Sequence, residues 1–486
     1  MERASIRSQL EQAVGAESLL SNPSELTVYE YDGSDEAMAG SHRPDFVVLP
    51  RSAEQVQRVV QIARRAGIPV TARGAGTGLA GGAIAATGGI LIAMTRMDRI
   101  LEINQRDRYA IVEPGVINLD LSTFTRPQGY FFAPDPASQK ACTIGGNVAN
   151  NSGGPHCLKY GVTVNHILGL EVVLPDGEML WVGGPAPDSP GIDLTGILVG
   201  SEGTLGIVTK VMTRLMRTPE SVDVMLAAFP TIETASNAVS AVIAAGVLPA
   251  ALEMMDKLAI SAIESAYHAG YPTDAGAVLL IEIDGLAEVV ADNREEIARI
   301  CRVHDASTVR VAQSQAERDL LWQGRKSALG AMGRLAPNYY LQDTVVPRTK
   351  LPSTLKRVEE ISKDYRLPVA NVFHAGDGNL HPLILFDRYR TGDIERVLKA
   401  GTEMIHWCID AGGAVSGEHG IGLEKKDFMP LIFTTEDLAA MAGLKMSFDP
   451  QELFNPEKVF PSGFSCGEVT SLKQQALAAK SGIEFV

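Results

Sequence analysis

Two stretches of this chain carry side chains able to do chemistry together. "VFHAGDGNLHPLILF", residues 372–386, sets His374 and His381 seven apart, and "AVSGEHGIGLEKK", residues 414–426, sets Glu418 beside His419. Both imidazoles of the first stretch follow apolar, strand-like residues, and a Gly-Asp-Gly-Asn turn between them folds one towards the other. Two imidazoles with one carboxylate and open positions make a divalent-metal site. On spacing alone, a glycine-rich turn that happens to hold histidines is the favoured reading. His268, His304 and His406 stand singly and are read as satisfied core residues.

A second class of signal is backbone rather than side chain. "TARGAGTGLAGGAI", residues 71–84, is dense in glycine. Its Gly74-x-Gly76-x-Gly78 spacing is not the dinucleotide fingerprint, and no Walker lysine follows. The run offers unobstructed amides able to converge on phosphate oxygens. "PDPASQKACTIGGNVANNSGGPHCLKYGVT", residues 134–163, and "GSEGTLGIVT", residues 200–209, continue the habit. So long a polar stretch with little regular structure inside a globular domain points to function, and an extended dinucleotide needs many small donors. Turn-capping is the competing reading for each asparagine, and solvation for Lys140 and His156.

The elements that must position these residues are legible in outline. "PDFVVLP" reads as a buried strand, and "SAEQVQRVVQIARRAGIPV" as a helix with Ser52 as N-cap and Gly67 as terminator, followed by a strand: a β-α-β unit. Short strands broken by glycine follow, including "ILGLEVVLPDGEML" and "GILVGSEGTLGIVTKVMTRL". Near Thr218–Ser221 the texture changes to longer amphipathic helices, such as "TIETASNAVSAVIAAG", alternating with apolar strands such as "GAVLLIEIDG". With 486 residues, 45% of them hydrophobic, the chain can bury two or three cores.

Composition excludes several classes of function. The net charge of −15 repels nucleic acid and anionic membrane surfaces. No apolar run reaches the length of a transmembrane span, and the charged N-terminus lacks the apolar region of a secretory signal. Cys142, Cys157, Cys301, Cys408 and Cys466 are dispersed. That pattern suits a reducing cytoplasm better than a disulfide framework and leaves no ligand set for an iron–sulfur cluster. The expected localisation is cytoplasmic, with peripheral membrane attachment through a partner as the alternative.

The three glycine-rich segments, in this order, resemble the flavin-binding domain of the family related to vanillyl-alcohol oxidase and p-cresol methylhydroxylase, in its glycolate oxidase FAD-subunit and D-lactate dehydrogenase branch. The likeness runs from "PDFVVLPRSAEQV" to "FDPQELFNPEKVFP". It implies an α+β fold: a two-subdomain FAD-binding domain over residues 1–218 with its core at about 44–215, an α+β cap with an antiparallel sheet over 219–448, and a segment 449–486 packing back on the flavin domain. It implies that Arg73, Gly74, Ala75, Gly76, Thr77 and Gly78 wrap the pyrophosphate. Pro134, Thr143, Gly145, Gly146, Asn147, Asn150, Asn151, Ser152, Gly153 and Gly154 would line the ribityl chain and isoalloxazine, with Gly200, Glu202, Gly206, Ile207 and Val208 closing the adenosine and flavin side. Some relatives attach the flavin through a histidine in the first loop; Thr77 stands at that place here, so the FAD is expected to be non-covalent.

The same resemblance matches His374, His381 and Glu418 to metal ligands, with zinc the first choice and manganese or iron the alternatives, and His419 to the catalytic base. Removing hydride from the C2–H of a 2-hydroxy acid requires a base for the hydroxyl proton, and a metal on that oxygen lets imidazole act near neutral pH. Arg325, in "LLWQGRKSALGAMGR", suits the substrate carboxylate, because a guanidinium can grip it with two hydrogen bonds; Lys326 and Arg334 are weaker candidates, and Trp322 reads as packing. Relatives acting on D-2-hydroxyglutarate carry lysine two residues before the aspartate of "YYLQDTVVP", where this chain has Leu341. A distal carboxylate would be left unpaired there. The expected activity is FAD-dependent oxidation of D-lactate or glycolate to the 2-oxo acid. Reoxidation would fall to a quinone, a cytochrome or an iron–sulfur partner subunit, in a homodimer or a heteromeric complex. The rivals are a D-2-hydroxyglutarate dehydrogenase and a non-catalytic flavin relay subunit.

Overall fold

The structure, a computed structural model, describes residues 3–34, 42–186 and 191–462; Cys466 and the rest of the expected C-terminal segment lie outside this range. Phe46–Val48 is a fully buried strand, and the helix Ala53–Ala66 follows it. The Ser52 hydroxyl accepts from the Gln55 amide, and Gly67 ends the helix in the left-handed region at φ 64°. The apolar stripe Val56, Val59, Val60 and Ala63 lies on a four-stranded sheet, ordered Leu19–Leu20, Phe46–Val48, Ile90–Ala93, Val70–Arg73. The last three strands are mutually parallel, as a β-α-β crossover requires.

A second sheet is antiparallel throughout: Ile100–Asn104, Tyr109–Val112, Ile207–Arg214, Ile167–Val173, Met179–Gly183. Two expectations need correction here. "GILV", read as strand, belongs in part to the helix Leu194–Leu198, which Asp193 caps through the Gly196 amide. The polar stretch 134–163, read as largely irregular, contains the helix Ile144–Asn150, capped by Thr143. Local side-chain capping outweighs glycine's poor helix propensity in so short a segment.

From Ser221–Phe229 onward the strands join a third sheet, largely antiparallel, in the order Thr308–Val311, Ser221–Phe229, Ala277–Gly285, Ala251–Asp256, Val369–His374, Asn379–Leu380, Thr344–Val345. Pro382–Phe386 pairs with Val369–His374 on one side and Asn338–Leu341 on the other. Apolar residues on both faces of this sheet enter two separate cores, one under Ile232–Ala244 and Ala287–Val303 and the other under Lys257–Tyr267, and this accounts for its near-continuous hydrophobic strands. Near its end the described chain returns to the first sheet. The Val70 amide donates to the Leu453 carbonyl, the Asn455 amide donates to the Val70 carbonyl, and Phe454 is buried in the N-terminal core.

Candidate active site

The register of the third sheet builds the histidine cluster. Glu253 faces His374 across the ladder between Ala251–Asp256 and Val369–His374. Its carboxylate oxygens lie 2.8 and 2.9 Å from His374 Nδ1, which directs Nε2 to Glu418 Oε1 at 3.1 Å. The hairpin to Asn379–Leu380 brings His381 back, its ring 5.1 Å from that of His374. His381 Nε2 is buried 3.4 Å from Asp343 Oδ1 and 3.5 Å from Glu418 Oε1, with a well-formed hydrogen bond to neither. One ligand atom each from His374, His381 and Glu418 falls within 4.8 Å of the others. An orphaned imidazole nitrogen, a carboxylate and a second imidazole oriented by Glu253 fit a divalent cation, and the carboxylate behind His374 is the outer partner that metal-bound histidines use.

His419 stacks on His381 at 5.1 Å between ring centroids. The segment that carries it is held by Asp343, fully buried, which accepts hydrogen bonds from the amides of Gly417, Glu418 and His419, from the Ser416 hydroxyl and from Lys425 Nζ. Gly417 must lack a side chain, because a Cβ would overlap the Asn379 carboxamide, and Gly420 turns the chain at φ 88°. Electrostatics follow from this enclosure. Burial opposes charge on Glu418, but the His374 charge and hydrogen bond, with His381 and His419, hold its pKa down to about 2. Burial also opposes charge on His374, and there Glu253 and Glu418 win, raising it well above the ordinary value. Burial lowers His419 to about 4 against the pull of Asp343, so its imidazole is neutral at pH 7.

The glycine-rich loops face the same space. A cavity of ≈ 370 Å³ is lined by His374, His381, Glu418, His419, Arg325 and Leu341 together with Gly74, Ala75, Gly76, Thr77 and Gly78 and with Thr143, Gly146, Asn147, Asn150, Ser152, Gly153 and Glu202. Gly78 and Gly82 leave part of this lining without side chains: neither has a positive φ, and a Cβ on either would meet no atom closer than 3.9 Å, so the backbone there is open to a ligand lying against it. Gly145, Gly206, Ile207 and Val208 line a smaller adjoining space with Arg73.

Other expected residues are placed elsewhere. Pro134, Asn151, Gly154 and Gly200 line neither space: the Pro134 carbonyl accepts from Asn118, and Asn151 accepts from the Val164 amide. The Arg73 guanidinium turns to the carbonyls of Tyr31 and Ala83 and so braces the loop. Glu202 accepts from the amides of Ile421 and Gly422, clasping the His419 segment from the flavin-loop side, and Asn150 donates to the His419 carbonyl. Arg325 Nη2 is 2.5 Å from Glu253, leaving its buried Nε without a partner.

Three readings are corrected. His268 and His406 are exposed and His304 half-buried, rather than in the core; His268 and His304 sit at helix C-termini. Trp322 does more than pack, donating from its indole to Glu282 at 2.6 Å. His156 is not solvated but is bonded to Asp135 and Glu282. Sequence reasoning missed Glu253 and the anchoring role of Asp343. An acidic residue inside the apolar run "AALEMMD", buried and therefore in need of a partner, was the available signal for Glu253.

Known proteins resemble this chain in sequence and in fold. The profile described as "FAD binding domain" matches residues 44–183, and "FAD linked oxidases, C-terminal domain" matches residues 218–459. The chain is 45% identical over 468 residues to glycolate oxidase subunit GlcD of Escherichia coli K12, covering 96% of this chain and 93% of the relative. It is 33% identical over 440 residues to a probable mitochondrial D-lactate dehydrogenase of Danio rerio, covering 89% and 87%. The solved structure of p-cresol methylhydroxylase with substrate bound superposes with a TM-score of 0.79 at 17% identity, covering 95% of this chain and 98% of that one, a likeness of fold. Among the described residues, no helix is long and apolar enough to cross a membrane. The fold, the shared cavity and these matches together make the chain a member of the FAD-linked oxidase family, α+β in class, with FAD as its cofactor.

Proposed function

We propose that this enzyme oxidises a short 2-hydroxy acid, D-lactate or glycolate, to the 2-oxo acid. The observation that carries the reading is that His374, His381, Glu418 and His419 line the same cavity as the glycine-rich loops. The relatives named for glycolate oxidase and D-lactate dehydrogenase support the substrate class. Bound FAD supplies the hydride acceptor, and a divalent cation held by His374, His381 and Glu418, zinc by preference, supplies positive charge at the substrate hydroxyl.

The chain's own residues do the rest. His419 Nδ1 lies 3.9 Å from Asp343 Oδ2, leaving Nε2 to take the hydroxyl proton as the C2–H leaves. Asp343 stabilises the imidazolium that results, because its carboxylate is held well below the ordinary range: burial opposes this, but Lys425, His419 and His381 prevail. Arg325 has two tasks. It fixes Glu253 behind His374, and it lines the cavity to balance the substrate carboxylate, with Lys326 beside it. Leu341 lines the cavity where a longer dicarboxylate would need a cation, and this favours a monocarboxylate. The word "subunit" in the relative's name supports a protein partner, such as an iron–sulfur or cytochrome subunit, that passes electrons on.

The test is anaerobic bleaching of the flavin by D-lactate, glycolate and D-2-hydroxyglutarate. We expect the two monocarboxylates to bleach it, and chelator to slow that bleaching at least tenfold while dithionite still reduces the flavin. Faster bleaching by the dicarboxylate would discredit the use made of Leu341.

A further inference from the structure

The main cavity adjoins an outer recess of ≈ 210 Å³ whose rim includes Ser34, Asn338 and Glu424, and the two spaces share two side chains, Leu79 and Leu341. Each leucine is held in place by its backbone. Leu341 ends the strand Asn338–Leu341 opposite Leu383, two residues beyond His381, and lies two residues before the anchoring Asp343. Leu79 follows the glycine-rich loop, where the Gly33 amide donates to the Gly78 carbonyl at 2.8 Å. A Cβ on Gly33 would come within 2.9 Å of that carbonyl and 3.2 Å of Leu79 Cδ2, so the loop is buttressed from outside by a residue that has to be small. One leucine thus comes from the N-terminal half of the chain and the other from the C-terminal half, with polar groups at the recess and the histidine cluster beyond.

We propose that Leu79 and Leu341 form a throat through which the hydroxy acid passes from the outer recess to the histidine cluster, and that this throat sets the length of acid the enzyme accepts. The inference rests on the 2-hydroxy-acid reading above. An apolar throat strips water from whatever crosses it. A single carboxylate regains partners at Arg325 and Lys326, whereas a second one at the far end would stay between the leucines without any. Each added methylene must also find room beside two side chains fixed by the backbone.

Stopped-flow flavin reduction tests this with D-lactate, D-2-hydroxybutyrate and D-2-hydroxyvalerate on the FAD-loaded full chain carrying Leu79→Ala, Leu341→Ala, Leu79→Phe or Leu341→Phe. We expect each alanine variant to raise the second-order constant for the five-carbon acid relative to D-lactate by about tenfold, the scale of a methylene's discrimination in an apolar pocket. Each phenylalanine variant should lower that constant for all three acids by more than it lowers the saturated rate, as narrowing an approach path does. An unchanged ratio in the alanine variants overturns the throat. So does an effect confined to Leu341, which would make that residue only a wall of the substrate pocket. If phenylalanine prevents folding, the alanine pair decides. A wild-type flavin that no 2-hydroxy acid reduces sinks the substrate reading instead, and the two failures are told apart by that one control.

Discussion

At the scale of single residues, the site is a relay of opposite charges ending on one carboxylate. Arg325 holds Glu253, Glu253 holds His374 Nδ1, and His374 Nε2 meets Glu418. Glu253 therefore bears on the proposed metal site without lining the cavity. Glu253→Gln should weaken zinc binding by about 10- to 100-fold, the usual cost of losing the carboxylate behind a metal-bound histidine. Zinc titration of chelator-stripped protein checks this, and unchanged affinity would show that strand pairing alone orients the ring. His419→Ala should slow hydroxy-acid reduction of the flavin by about 10²- to 10⁴-fold, the range of general-base catalysis, with FAD absorbance retained. A variant reduced at the wild-type rate would move the base elsewhere. His374 and His381 were legible because strand, turn and strand are local. Glu253 was not, since it lies 121 residues away and only the ladder register brings it close.

At the scale of elements, one buried carboxylate organises a segment with no regular secondary structure. Asp343 collects three successive amides, a hydroxyl and the buried Lys425, the Gly420 amide donates to the Ser416 hydroxyl, and Glu202 collects the amides of Ile421 and Gly422 from the other side. Asp343→Ala leaves Lys425, only 2% exposed, with the backbone carbonyl of residue 343 but without its counter-ion, and should destabilise the chain by about 3–5 kcal/mol, as breaking a buried pair does. Urea unfolding measures it, and a loss under 1 kcal/mol would mean that the segment is held by packing instead. The sequence showed where elements begin and end when the cause was local: Ser52, Gly67 and the apolar strand Phe46–Val48 were all readable. It misled where a cap made a helix of glycine-rich chain, at Thr143 and at Asp193. Glu202 illustrates the same limit within the site: the family resemblance implied a cofactor contact, but only the tertiary fold reveals the two amides its carboxylate receives.

At the scale of the whole molecule, the two halves of the chain must stay in register, because the cavity is built from both. His156, from the N-terminal half, ties them. Its Nδ1 is 2.8 Å from Asp135, and its Nε2 is 3.0 Å from Glu282 on the strand Ala277–Gly285. Trp322, on the helix that also carries Arg325 and Lys326, donates to Glu282 and lies 5.4 Å from the His156 ring, while Lys326 reaches Asp135 at 3.4 Å. Lys159 and Tyr160 extend the junction to Asp284. Burial works against a charge on His156, yet Asp135, Glu282 and their hydrogen bonds raise its pKa well above the ordinary value. The sign of the pH effect follows from that direction. A raised folded-state pKa means that the stabilisation is complete below the unfolded value of about 6.5 and disappears as pH climbs through the folded value. Two charge-assisted hydrogen bonds make the effect on the order of 3 kcal/mol. The wild type should therefore lose more melting temperature between pH 6.5 and pH 9.5 than His156→Gln, which has no charge to lose, and the variant should start lower at pH 6.5. Parallel melting curves across that range would mean that packing, and not the imidazolium, holds the halves together.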